Sequence, residues 1–197
     1  MNTIARRIGT AVVSTLLGCS IFAFGAGVAT ASGMQNQAPM VGGAPMYASK
    51  TIVQNASQAA TLTTLVAAVK AAGLAGTLSG PGPFTVFAPT NSAFDALPDG
   101  TVATLLKPAN KAQLQKILTY HVISGDYDST SLMHMIAANG DQAMLEMKTV
   151  EGEPLTFSMQ NGNLTVTDAQ GNTATVTQAD VTQSNGVVHV INKVLMP

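Results

Sequence analysis

The chain has 197 residues, 46% hydrophobic and 10% charged, with 9 Lys and Arg against 10 Asp and Glu and a formal net charge of −1. This suits one globular domain with a sizeable core and a short attachment, and it supplies no basic field or Lys/Arg run with which to hold nucleic acid. One cysteine and three histidines leave little material for thiol or metal chemistry.

Residues 1–31 place Arg6 and Arg7 ahead of an uncharged apolar run that ends in Ala29-Thr30-Ala31. A basic head, an apolar middle and an A-x-A end mark a secretory signal peptide cleaved after Ala31. Two other readings compete. Leu16-Leu17-Gly18-Cys19 resembles a lipoprotein box that would anchor the product through Cys19, and residues 8–28 are nearly long enough to span a bilayer. A lipidated Cys19 would leave Ile21-Phe22-Ala23-Phe24 at the new terminus, where a polar tether is wanted. The expectation is therefore a secreted or periplasmic product with no membrane span. Cleavage removes Arg6, Arg7 and the cysteine, leaving 7 basic and 10 acidic side chains and a charge of −3. Such a chain has no disulfide and no thiol nucleophile, and its fold rests on its core.

Residues 32–48, rich in Gly, Ala, Pro and Met without charge or periodicity, read as a flexible leader ahead of a single domain over 49–197. Leu62, Leu65, Val66, Val69 and Ala72 recur at helical spacing, with Gly73 at the expected stop. Pro81 and Pro83 bar a helix and lead into the β-type run Phe84-Thr85-Val86-Phe87. Pro89 then stops the strand, and Thr90 and Asn91 are placed to bond the first amides of a helix over Ser92-Ala93-Phe94, making a strand-to-helix corner. Two more short helices follow on either side of Pro108. Beyond Gly140 come five β-type runs, with Asn161-Gly162 as a hairpin turn. Helices first and strands later predict an α+β domain.

Three segments carry a family resemblance. Thr85-Val86-Phe87-Ala88-Pro89-Thr90-Asn91-Ser92-Ala93-Phe94, the pair Tyr120-His121, and the stretch from Asn185 to Pro197, which includes Gly186, His189, Val190 and Ile191, resemble in order and spacing the marker segments of the fasciclin (FAS1) domain family. The resemblance implies a twisted β-wedge of about seven strands packed against several short helices. It also implies adhesion at cell surfaces or in extracellular matrices. Asn192 stands where the family usually carries aspartate, and the acidic integrin-recognition segments of animal members have no counterpart, so integrin binding is not carried over.

His121 sits at a helix-to-strand junction with no acidic or nucleophilic residue locally paired with it, Asp126 and Asp128 lying in a turn, so Tyr120 and His121 are expected to be satisfied core residues. His189, between valines in a strand, reads the same way. With His134 they show no H-x-H, H-x-x-H or H-E-x-x-H spacing, and no metal site is assigned. Met133-His134-Met135 offers soft ligands for Cu(I), yet residues two apart on a helix diverge. No G-x-S-x-G occurs; Ser92 and Ser124 read as helix-start and turn residues. The expectation is a non-catalytic, cofactor-free binding or adhesion protein whose partner is a surface glycan, a matrix polymer or another protein. Contacts are expected on the loops Ser124–Ser131 and Ala138–Gln142 or on exposed β edges. A weak esterase acting on cell-wall or plant polymers and a periplasmic copper-binding protein are the alternatives.

Overall fold

The structure is a computed structural model that describes residues 38–98, 100–140 and 144–197; the signal-peptide reading and the Cys19 alternative fall outside these residues. The described part of the expected leader is not a flexible spacer. Met40–Val41 (β1) and Ala44–Pro45 (β2) pair as a hairpin around Gly42-Gly43. Val41 and Met46 are buried in the core, and Gln178 donates to the Met40 carbonyl at 3.0 Å. Two apolar side chains flanking a Gly-Gly turn can bury themselves, which is why this charge-free stretch is ordered.

Ile52–Ala56 (α1) starts at a capping box in which Thr51 accepts from the Gln54 amide and Gln54 answers the Thr51 amide. A 3₁₀ turn over Ala60–Leu62 enters Thr63–Ala72 (α2), which ends at Gly73 as its periodicity predicts. Ala75–Leu78 (α3) leads to strand Phe84–Pro89 (β3) and then to Asn91–Asp95 (α4). Thr101–Leu105 (α5), a 3₁₀ turn at Pro108 and Lys111–Tyr120 (α6) follow, with α6 packed beside α2. Val122–Ser124 (β4) and Ser129–Ala138 (α7) complete the helical half.

The strand-to-helix corner is present but its caps are not the expected ones. Neither Thr90 nor Asn91 bonds the amides of α4 through its side chain. Asn91 reaches across instead: its Oδ1 accepts from the Thr64 amide at 3.1 Å, and its Nδ2 donates to the Ala60 carbonyl and the Thr63 hydroxyl, both at 2.9 Å. It thus supplies the start of α2, which has no cap residue of its own.

Met144–Lys148 (β5), Pro154–Gln160 (β6), Asn163–Thr167 (β7), Thr173–Gln183 (β8) and Gly186–Ile191 (β9) are the five expected strands. Asn161 and Gly162, with φ of 52° and 79°, make the two-residue turn between β6 and β7. The sheet order is β4-β3-β9-β8-β7-β6-β5, antiparallel everywhere except between β3 and β9. The fold is α+β, seven strands with short helices, as expected.

Because β3 and β9 are buried on both faces, alternation along them divides the interior in two. Val86, Ala88, Val188 and Val190 face a first core with α1, α2, α4 and α6, whereas Phe87 and Ile191 face a second core with Phe157, Leu155, Val166 and Leu132. Asn91→Ala should therefore cost about 1–2 kcal/mol in urea melts by exposing the α2 start, and Thr90→Ala should cost less than half of that. Equal losses would refute the cross-helix role of Asn91.

Candidate functional site

Helix α6 packs Leu114, Ile117 and Leu118 into the first core and ends at Tyr120, whose ring lies in the second, and the next residue, His121, closes the helix at φ −82°. His121 is 3% exposed. Its Nδ1–H donates to the Ile117 carbonyl at 2.8 Å, one turn back, and its Nε2 accepts from the Leu195 amide at 3.0 Å. One donor and one acceptor are what neutral imidazole offers. Burial pushes the His121 pKa down to about 4, against smaller raising contributions from the Ile117 carbonyl and Asp168. The Tyr120 hydroxyl donates to the Pro154 carbonyl at 3.0 Å and accepts from the Ala169 amide at 2.9 Å, and burial raises its pKa.

Asp168, which no marker segment contains, completes this group. Its Oδ1 accepts from the amides of Gln170 and Asn172 at 3.0 and 2.8 Å, folding the β7–β8 turn, while Oδ2 accepts from the Met196 amide at 3.0 Å. His121 and Asp168 thereby hold the successive amides of Leu195 and Met196. The signal available in sequence is an Asp shortly before Gln-Gly-Asn, an Asx-turn pattern; its second task, on the segment after β9, depends on tertiary contact.

His189 on β9 is fully buried and stacks on Phe87 at 5.4 Å. Nε2–H donates to the Tyr127 carbonyl at 2.9 Å and Nδ1 accepts from the Asp180 amide at 3.4 Å. Burial lowers its pKa as well. The Thr85 hydroxyl fixes the same loop, donating to the Gly125 carbonyl at 2.8 Å and accepting from the Tyr127 amide at 2.9 Å. Serine, carboxylate and imidazole do meet here. The Ser129 hydroxyl and amide both bond the Asp180 carboxylate, and Asp180 adjoins His189. Their order is wrong for a hydrolytic relay, in which the imidazole stands between hydroxyl and carboxylate; here both ring nitrogens are taken by backbone groups.

The remaining candidates do not converge. Asp128 caps α7 through the Ser131 amide at 2.7 Å, and those hydrogen bonds with Ser131 hold its carboxyl below the usual range. Met133 and His134 are exposed on α7 while Met135 packs against the second core, so the two thioethers point apart. Among the described residues no group of three His, Cys, Asp or Glu is placed to hold a metal ion. Ser92 and Ser124 are exposed at the ends of their elements. Of the expected contact loops, Asp126, Asp128 and Thr130 are exposed, and Asp141 and Gln142 lie outside the described residues. At Asn192 an amide suffices: its Oδ1 accepts from the Thr175 amide at 2.8 Å. Gly186 is required, since its φ is +148° and a Cβ would lie 1.9 Å from the Phe84 carbonyl oxygen.

With a folded-state pKa near 4 against 6.5 unfolded, His121 binds its proton in the unfolded chain first. Its contribution is present above pH 6.5 and is lost as pH falls towards 4, roughly 3 kcal/mol in all. Denaturant melts between pH 7 and 4 should show this decline, and His121→Gln should flatten it while lowering the melting temperature at pH 7. An unchanged slope in the variant would contradict the assignment.

A family model described as Fasciclin domain matches residues 60–197. Protein sll1483 of Synechocystis sp. is 51% identical over 147 residues, covering 75% of this chain and 73% of that protein. Transforming growth factor-beta-induced protein ig-h3 of Sus scrofa is 43% identical over 133 residues, covering 68% of this chain but 17% of the longer protein. The FAS1 domain pair of the insect cell adhesion molecule fasciclin I, a solved structure, aligns with a TM-score of 0.49 at 23% identity, over 67% of this chain and 45% of that one. The chain belongs to the fasciclin domain family.

Proposed function

We propose that this protein is exported and acts by binding, at the cell surface or in the surrounding matrix, to a surface glycan, a matrix polymer or another protein, without chemistry of its own. The observation that carries this reading is the use made of its ionisable interior. Both nitrogens of His121, both nitrogens of His189 and the Tyr120 hydroxyl are all engaged with backbone groups. Groups so engaged hold a scaffold and are not free to move protons. Membership of the fasciclin domain family supports the reading through the adhesive role that the resemblance implies. Among the described residues no helix is long and apolar enough to cross a membrane.

The test is a pull-down and glycan-array screen with the purified protein, run beside an ester-hydrolysis assay and a Cu(I) retention assay. A retained polymer or protein partner is expected, with ester turnover no faster than buffer and Cu(I) retention unchanged when Met133, His134 and Met135 are replaced by alanine. Turnover that disappears in Ser129→Ala, or copper retention that disappears in the triple variant, would overturn the reading.

A further inference from the structure

A groove of about 260 Å³ lies between α4 and the segment that follows β9, far roomier than the small apolar voids inside the first core. Ala96 and Leu97 line one side and Val194 and Met196 the other, and Asn172 and Lys193 supply its polar side chains. Its volume falls just below the ~300–1,000 Å³ of sites for drug-sized ligands, and so suits a single ring.

The polar groups are specific about what they would accept. The Asn172 Nδ2 donates to both oxygens of Asp168, at 3.4 and 3.1 Å. A carboxylate only accepts, so the amide cannot be turned round, and Oδ1 is left as an acceptor that takes no hydrogen bond among the described residues. The Lys193 ammonium makes no ion pair among the described residues. The walls are already set. Val194 is buried, Met196 is held through its amide by Asp168, and Leu195 is held by His121, so a ligand meets a prepared surface.

A ligand for this groove carries an anion for the ammonium, a hydroxyl for the amide oxygen and a C–H face for Leu97, Val194 and Met196. We infer that it binds one uronic-acid unit of an acidic polysaccharide, with the carboxylate on Lys193 and a ring hydroxyl donating to Asn172. A phosphate fits worse, because it wants several N–H donors and would face the Asn172 oxygen. A purely apolar molecule would use neither of these polar groups, both of which belong to exposed residues. This inference rests on the proposal that the protein binds surface polymers, and it names the polymer's chemistry.

Calorimetric titration of the purified protein with oligogalacturonate, and with a neutral galactose oligomer of equal length, provides the test. Binding is expected for the acidic oligomer, weakening as salt is raised. It should fall about tenfold in Lys193→Gln and in Ala96→Phe, which fills the groove. Both side chains are exposed, so melting temperatures should not move. Equal affinity for the neutral oligomer, or acidic binding untouched by both variants, overturns the inference. Absence of binding to either oligomer overturns it too, and leaves the wider proposal standing if the polymer and protein screen still returns a partner; an empty screen defeats both.

Discussion

The parallel pairing of Phe84–Pro89 with Gly186–Ile191 is the constraint on which the remainder of this structure depends. It joins segments about a hundred positions apart and is buried on both faces, so neither strand has a solvent side on which polar residues could be placed freely. Two polar residues are nevertheless there, Thr85 and His189, each fully buried and each bonded to the loop that enters α7. Burying them unpaired would cost about 1–3 kcal/mol apiece, so they specify which loop conformation the strand pair accepts. The pairing also needs Gly186, because any side chain there would meet the Phe84 carbonyl.

The same logic extends outward through amides and carboxamides. Asn185, just before β9, accepts from the Ile52 amide and donates to the carbonyls of Leu78 and Gly80, tying α1 and the end of α3 to the strand. Asn55 bonds both the amide and the carbonyl of Tyr47 and reaches Gln183 on β8. Asp168 and His121 then fasten the chain beyond β9. In each case a buried polar side chain satisfies backbone groups that no helix or strand could satisfy, and among the described residues no buried side-chain polar atom is left without a partner. A chain of 10% charge thus obtains specificity from hydrogen bonds between buried side chains and its backbone, while its ion pairs among the described residues join Lys116 to Glu151 and Glu153.

How much of this is legible in sequence follows from the range of each interaction. The helix ending at Gly73 and the Asn161-Gly162 hairpin are local, and periodicity and turn chemistry reveal them. The satisfied state of Tyr120 and His121 is legible as a type, from an apolar setting without a catalytic neighbour, but their partners at Pro154, Ala169 and Leu195 are not. Asn91 has a capping residue's chemistry, which sequence assigns to the adjacent helix, whereas the structure gives it to one that begins 28 positions earlier. Gly, Pro and Met content suggests a flexible leader and hides the order of its residues 38–48, because composition does not register that Val41 and Met46 straddle a Gly-Gly turn. The groove at Lys193 exists only once α4 and the segment after β9 are brought together, and no local pattern announces it.

The parallel strand pair also dictates an order of events during folding. The sheet between β4 and β8 has a gap until β9 arrives, because β9 is the strand that stands between β3 and β8. Loop closure over so long a separation is slow, and meanwhile the apolar edges of β3 and β8 stay open to wrong partners. A chain emerging from its N-terminus therefore stays incompletely assembled until residue 191 is available, and the helical half must wait for the last strand before its sheet is continuous.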